Sequence, residues 1–265
     1  CVLTGKKTVY DTDAFADILA KIAELSGHTY GENENVTKAF RIIADHMRTS
    51  TFILGDDRGV SPSNTDQGYI LRRLIRRAVR YGMQLNMPEG FTCEIAKVII
   101  NQYKSAYPEL ERNSAFVLEQ LSLEEGRFAR TLRQGEKEFE KVYNGMAQTR
   151  ALLESILSSA DKAAFARELA ETKKLRPSPD MMPIIDAAKA NDSAAVEAAV
   201  NARLATLDTL DGRSAFKLYD TYGFPIEMTM ELAAEKGLKV DKADFDERFK
   251  KHQELSHQGA DQKFK

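Results

Sequence analysis

The chain has 265 residues, with 38 Lys and Arg against 40 Asp and Glu. Its 43% apolar and 29% charged composition is that of a folded protein, not a disordered or fibrous one. A mean hydropathy of −0.42, with no apolar run approaching 18 residues, excludes a membrane span. Two cysteines, Cys1 and Cys93, cannot make a disulfide framework, and nothing suggests a secretory leader, so a reducing, cytoplasmic setting is expected. The chain opens on Cys1 and reads as a piece of a longer protein.

Taken in order, helical periodicity dominates, and the fold class expected is all-α, an irregular multi-helix region with little or no strand. Phe15, Ile18, Leu19, Ile22 and Leu25 form the first apolar stripe; Val36, Phe40, Ile43 and Met47 form the next. Ser50–Leu54 is the best short strand candidate. From Gly68 the stripe Ile70, Leu71, Leu74, Ile75, Ala78 and Val79 predicts another helix, with Thr65 or Asp66 placed to cap it. Val117, Leu121, Phe128, Leu132, Phe139 and Val142 predict one long helix or a kinked pair, the alternative being raised by Gly126 and Gly135. The Ala-rich stretch 151–206, punctuated by Pro177, Pro179 and Pro183, reads as a helical insertion, and the tail from Asp241 through His257 as a charged helix. Three parts follow: 1–150 with the basic helix, 151–206, and 207–265 packing on the first.

Beneath the net charge of −2, residues 38–82 carry nine cations against four acids, leaving the rest of the chain at −7. Such a segment suits a polyanion-binding face. No Gly-rich phosphate loop is present, and His28, His46, His252 and His257 lack metal-ligand spacing, so no catalytic residue, metal or cofactor is expected within this chain. Asp45 and His46 read as a structural hydrogen-bonded pair.

Two blocks carry information. Ser61 through Tyr69 leads into a helix on which Arg72, Arg73, Arg76, Arg77 and Arg80 fall at i, i+1, i+4, i+5 and i+8, a cationic ridge beside the apolar face. Guanidinium forks match phosphate oxygens, whereas the bland alternative is a solvated face pairing with acids; composition leaves both open. In Phe216–Pro225, a helix ends at Gly223 and Pro225 starts the next, leaving Asp220 with Tyr219, Tyr222 and Phe224 around a corner; from the residues alone, a helix–helix corner with its aromatics in the core is the favoured reading.

Together these blocks resemble the tRNA-recognition region of the alanyl-tRNA synthetase family. The matching strings are Arg41-Ile-Ile-Ala-Asp-His-Met-Arg48, Pro62-Ser63-Asn64, Gly68-Tyr-Ile-Leu-Arg-Arg73, Glu124-Glu125-Gly126-Arg127-Phe128 and Tyr219-Asp-Thr-Tyr-Gly-Phe-Pro225. The resemblance covers residues 11–150 and 207–250. It implies binding of the alanine tRNA acceptor stem and minor-groove readout of its G·U wobble pair by Asn64 and Asp220, with Arg72, Arg73, Arg76, Arg77 and Arg80 on the RNA backbone. Asn64 and Asp220 are expected to be exposed and to face a common cleft. The resemblance also implies catalytic and editing domains elsewhere in the same chain as partners. The full-length parent would ligate alanine to tRNA using ATP, and magnesium and zinc are implied for it, the zinc ligands lying in the editing domain. The sequence departs from the family at Gln67, where an arginine is usual, in a longer Gly55–Val60 loop, and in the insertion. The alternatives are a helical protein-interaction scaffold and a free-standing RNA-binding homologue.

Overall fold

The computed structural model describes residues 5–263, with side chains through Glu254; Cys1 and the imidazole of His257 lie outside the described residues. Among these, twelve helices and two strands of two residues each make up the regular structure, and the chain divides into two compact units at Arg133/Gln134. The division falls inside a helix, where neither the turn chemistry nor the composition marks a boundary.

In the first unit, a 3-10 turn at Val9–Asp11 precedes α1 (Asp13–Ser26), which closes on Gly27 at φ 70°. Helix α2 (Glu34–Gly55) is capped by the Asn33 side chain, which accepts from the Val36 N–H at 2.9 Å. Its buried stripe continues past Met47 through Ser50, Thr51 and Leu54. The segment Ser50–Leu54 is therefore helical and not a strand. Spacings of three and four from Met47 keep it on the buried face, and that periodicity outweighs the β preference of Thr51, Phe52 and Ile53. Helices α3 (Asp66–Gln84), α4 (Phe91–Tyr103) and α5 (Pro108–Arg112) complete the layer, α2 packing on α3, α4 and α5 while α1 lies on α4. Ile18, Ile22, Phe40, Ile43, Leu71, Ile75, Ile95 and Val117 are fully buried at its centre.

Helix α6 (Ser114–Ser158) runs 45 residues without a break, so the long-helix expectation is met and neither glycine interrupts it. In the second unit, α7 (Lys162–Glu171), α8 (Met182–Lys189) and α9 (Ser193–Leu204) close a cluster of their own with Leu153 and Ile156, built on Ala166, Ile184, Val196 and Val200. The insertion thus carries its own core, and two of its helices, α7 and α9, start on aspartate caps at Asp161 and Asp192. Beyond it come β1 (Thr209–Leu210), α10 (Gly212–Tyr222), α11 (Ile226–Glu235), β2 (Lys239–Val240) and α12 (Lys242–Lys263), the strands pairing in parallel with Thr209 opposite Lys239. The all-α expectation stands. No described helix is long and apolar enough to cross a membrane.

Candidate nucleic-acid interface

The Pro62-Ser63-Asn64 loop is built onto the first turn of α3. Ser63 donates its N–H to the Gly68 carbonyl at 3.0 Å and its hydroxyl to the Thr65 carbonyl at 2.8 Å. A Cβ on Gly68 would lie 2.6 Å from the Ser61 carbonyl oxygen, so only glycine lets the loop approach this closely. Thr65 is the N-cap residue but makes no side-chain cap bond, and Asp66 turns the chain at φ 51°. Asn64 is exposed, as expected, and its Oδ1 accepts from Arg72 Nη1. The same guanidinium donates through Nη2 to the Pro62 carbonyl at 3.2 Å. Gln67 is exposed.

The arginines of α3 do not form the open ridge that the spacing suggested. Arg80, expected on the RNA-facing cationic ridge, is 1% exposed, with its guanidinium 5.4 Å from the Tyr81 ring centre, so it does not stand on an open face. Arg72, Arg73, Arg76 and Arg77 are each half-buried. Arg72 Nε and Arg76 Nε lie 3.3 and 2.6 Å from Oε1 of Glu124, whose side chain is 2% exposed, and Arg76 also covers the Phe128 ring at 5.1 Å. Arg77 Nη1 is 3.2 Å from His46 Nε2, and His46 Nδ1 is 3.0 Å from Asp45 Oδ2. Donation by arginine makes Nε2 the acceptor, so the proton sits on Nδ1 and points at the carboxylate. The Asp45–His46 pair is structural, as read, and extends to α3. The physical reason for the difference is that α3 is covered on two sides. Helical spacing places the arginines relative to one another but says nothing about the neighbours facing them.

Sequence reasoning passed over Glu124 and Glu125 as chemistry. Both are nearly buried, at 2% and 3%. Glu124 holds Arg72 and Arg76, while Glu125 accepts from the Gly90 N–H at 2.7 Å, the Thr92 N–H at 3.2 Å and the Thr92 hydroxyl, closing the start of α4. The signal was present: both acids stand between Leu121 and Phe128 on the apolar stripe, and a carboxylate there must be partnered.

In the second unit, Asp220 sits exposed on the last turn of α10. That helix closes on Gly223 at φ 71°, with the Gly223 N–H bonded to the Tyr219 carbonyl and the Phe224 N–H to the Leu218 carbonyl, both at 3.0 Å. Pro225 is the N-cap of α11, one residue before the helix itself. Phe224 is fully buried against Gly135, where a Cβ would come within 2.5 Å of its ring. Tyr219 packs edge-on against Phe245 and Phe249, and His252 Nε2 lies 3.4 Å from Asp220 Oδ1. The aromatics of this corner are therefore packing, while the acid stays at the surface. Asp220 lines a groove of about 780 Å³ with Glu138, Arg213, Lys217, Thr221 and Arg248. There Lys217 Nζ bonds Glu138 Oε1 at 2.5 Å, which holds the carboxyl below its usual range and raises the ammonium. Asn64 and Asp220 belong to different units, each presented by its own helix end.

The Gly55–Val60 segment is tied down by Asp57, which receives Arg112 Nη2 at 2.6 Å and Asn113 Nδ2 at 3.1 Å; the Arg112 hydrogen bond first, then Asn113, keeps its carboxyl below the ordinary value. Among the described residues no group of three or more His, Cys, Asp or Glu could hold a metal ion.

Residues 1–165 and 193–265 match the family model described as tRNA synthetases class II (A). Alanine–tRNA ligases resemble the chain along its whole length: that of Treponema denticola is 41% identical over 264 residues, that of Borrelia hermsii 39% over 263 and that of Treponema pallidum 37% over 264. The chain spans about a third of these relatives, 34–35% of their length, while 99–100% of the chain is aligned.

Proposed function

The chain belongs to the class II (A) tRNA synthetases, and we propose that within that family it is a tRNA-recognition region of an alanine–tRNA ligase. On this reading it binds the acceptor stem of alanine tRNA and reads its G·U wobble pair from the minor groove, in the cytoplasm. Ligation of alanine, and any use of ATP, magnesium or zinc, belongs to other domains of the same chain, which are its covalent partners.

The observation that carries the reading is the presentation of Asn64: an exposed amide on a loop that Gly68, Ser63 and Arg72 fix to the start of a basic helix. The minor groove of an RNA helix is wide and shallow and exposes base edges. Guanine's exocyclic amine is the only donor that base pairs offer there, and in a wobble pair it has no pyrimidine partner. The Asp220 carboxylate, exposed at a helix end, accepts only and suits that amine. The Asn64 amide supplies donors for the carbonyl edge. Backbone contact falls to Arg73 and Arg77, which are both half-buried on α3.

An acceptor-stem hairpin carrying G·U, titrated beside one carrying G·C, tests the reading. Asn64→Ala and Asp220→Asn are each expected to cost roughly 1–3 kcal/mol of discrimination between the stems, with little change in fold stability. The chain is also expected to give no alanine-dependent ATP–pyrophosphate exchange. Equal binding of both stems by the unaltered protein, or variants that discriminate as well as it does, removes the base-pair assignment.

A further inference from the structure

Arg72 stands between a buried anion and an exposed loop. Its Nε lies 3.3 Å from Oε1 of Glu124, a carboxylate 2% exposed that also receives Arg76 Nε at 2.6 Å. Its two terminal nitrogens reach the other way, Nη1 to Asn64 Oδ1 and Nη2 to the Pro62 carbonyl at 3.2 Å. The guanidinium is planar with its donors in a fixed fork, so the ion pair with Glu124 on one side also restricts where the other edge points. An asparagine on an exposed loop samples several rotamers and both orientations of its amide. One whose oxygen is tied to an anchored guanidinium keeps one rotamer, and its Nδ2 donors are the end left to a ligand.

We propose that Arg72, held by Glu124, is a positioning residue for Asn64. It fixes the asparagine as a hydrogen-bond donor toward the base pair and does not serve as a phosphate contact. With one lone pair of its oxygen held by Arg72, Asn64 presents its Nδ2 donors outward, so the two readers divide the work: Asn64 donates to the carbonyl or ring-nitrogen acceptor of the pair and Asp220 accepts the amine. The inference rests on the base-pair reading above. It adds that the specificity of that site runs through Arg72 and Glu124, neither of which need touch RNA.

The test is a double-mutant cycle on the 265-residue chain, with the ratio of wobble-stem to Watson–Crick-stem affinity as the readout. Arg72→Lys retains the charge but loses the fork; Glu124→Gln retains the shape but loses the charge. Arg72→Lys is expected to lower the ratio by about tenfold, as Asn64→Ala does. The double variant should be no worse than Asn64→Ala alone, because both changes act through one amide. Affinity for the Watson–Crick stem and the log–log salt slope should stay constant. A phosphate contact gives the opposite pattern: both stems weaken together, the losses add to those of Asn64→Ala, and Arg72→Gln, which removes the charge, lowers the slope by about 0.7. That pattern overturns the proposal. A second readout is independent of RNA. The side-chain amide 15N signal of Asn64, assigned by its loss in Asn64→Ala, must shift or broaden in Arg72→Lys, and an unmoved signal also overturns the proposal. If Asn64→Ala leaves the ratio unchanged, the base-pair reading fails by itself, and the amide signal still decides whether Arg72 orients Asn64. Circular dichroism confirms that each variant is folded; if Glu124→Gln is not, Arg72→Lys carries the decision.

Discussion

A carboxylate buried to 3% exposure is kept only where its lone pairs are used, and Glu125 shows how fully. It receives two backbone N–H groups and one hydroxyl at the entrance of α4, whose N-cap, Gly90, has no side chain to offer. Its negative charge also lies at the positive end of the α4 dipole. Glu125→Ala leaves the buried Thr92 donors and the part-buried Gly90 N–H without their acceptor, and a loss of about 3 kcal/mol is expected from the unsatisfied groups together. Urea unfolding followed by circular dichroism measures it. Glu125→Gln, which keeps an acceptor oxygen but loses the charge, should lose clearly less. A loss under about 0.5 kcal/mol for the alanine variant contradicts the capping role. Glu124, one residue earlier, faces the arginines of α3 instead, so adjacent acids on one helix serve two different neighbours.

At the scale of the element, the same substitution has opposite signs at two glycines. Gly223 closes α10 at φ 71°, a conformation that costs a residue with a Cβ about 1 kcal/mol or more. Gly145 lies inside α6 on an exposed face with nothing within 4 Å of a Cβ placed there. Gly223→Ala should therefore destabilise by about 1 kcal/mol, whereas Gly145→Ala should stabilise by about 0.5–1 kcal/mol through helix propensity and a less flexible unfolded chain. Thermal or urea unfolding of the two variants side by side checks the pair. The Gly223 change carries a further consequence, since the turn it closes also sets the end of the helix on which Asp220 stands. Stabilisation by Gly223→Ala would show that the left-handed closure is not what ends α10.

For the molecule as a whole, charge is balanced through many exposed pairs rather than a few buried ones, and this determines its response to acid. Arg112 and then Asn113 hold Asp57 below the ordinary carboxylate range; Lys217 does the same for Glu138, and Lys251 for Glu247. In each case the folded state binds the proton more weakly than the unfolded chain. The stability they contribute is thus complete above the unfolded value of about 4 and is lost as pH falls through it and on toward the lower folded value. On the basic side Lys217 and Lys236 are raised by hydrogen bonds to Glu138 and Glu140, so their contribution holds below the usual lysine range and goes as pH climbs beyond it. The expected profile is flat between about pH 5 and 9, falling on both sides. Added salt should flatten the acid limb, because pairs this exposed are screened. Urea midpoints measured from pH 3 to 10 test this; a midpoint that rises as pH falls from 5 to 3 contradicts the sign.

The sequence by itself determined the fold class, the extent of most helices and the chain positions of the candidate readers. These depend on local physics: a stripe at spacings of three and four makes α1 and α3, Gly223 followed by Pro225 makes a corner, and an asparagine after Pro-Ser ahead of a helix start makes an exposed loop. The short strand candidate at Ser50–Leu54 is helical because burial, a tertiary quantity, decided between two local preferences. Only the tertiary structure decided what each arginine does. Arg72, Arg76 and Arg80 look alike on a helical wheel. Yet one links Glu124 to Asn64, one lies on Glu124 and Phe128, and one is buried beside Tyr81. The partner in the first two cases is 48 or more residues away in sequence. Helical periodicity orders side chains around their own axis, but a charge acquires its role from whatever group is packed against it, and that depends on how distant helices meet.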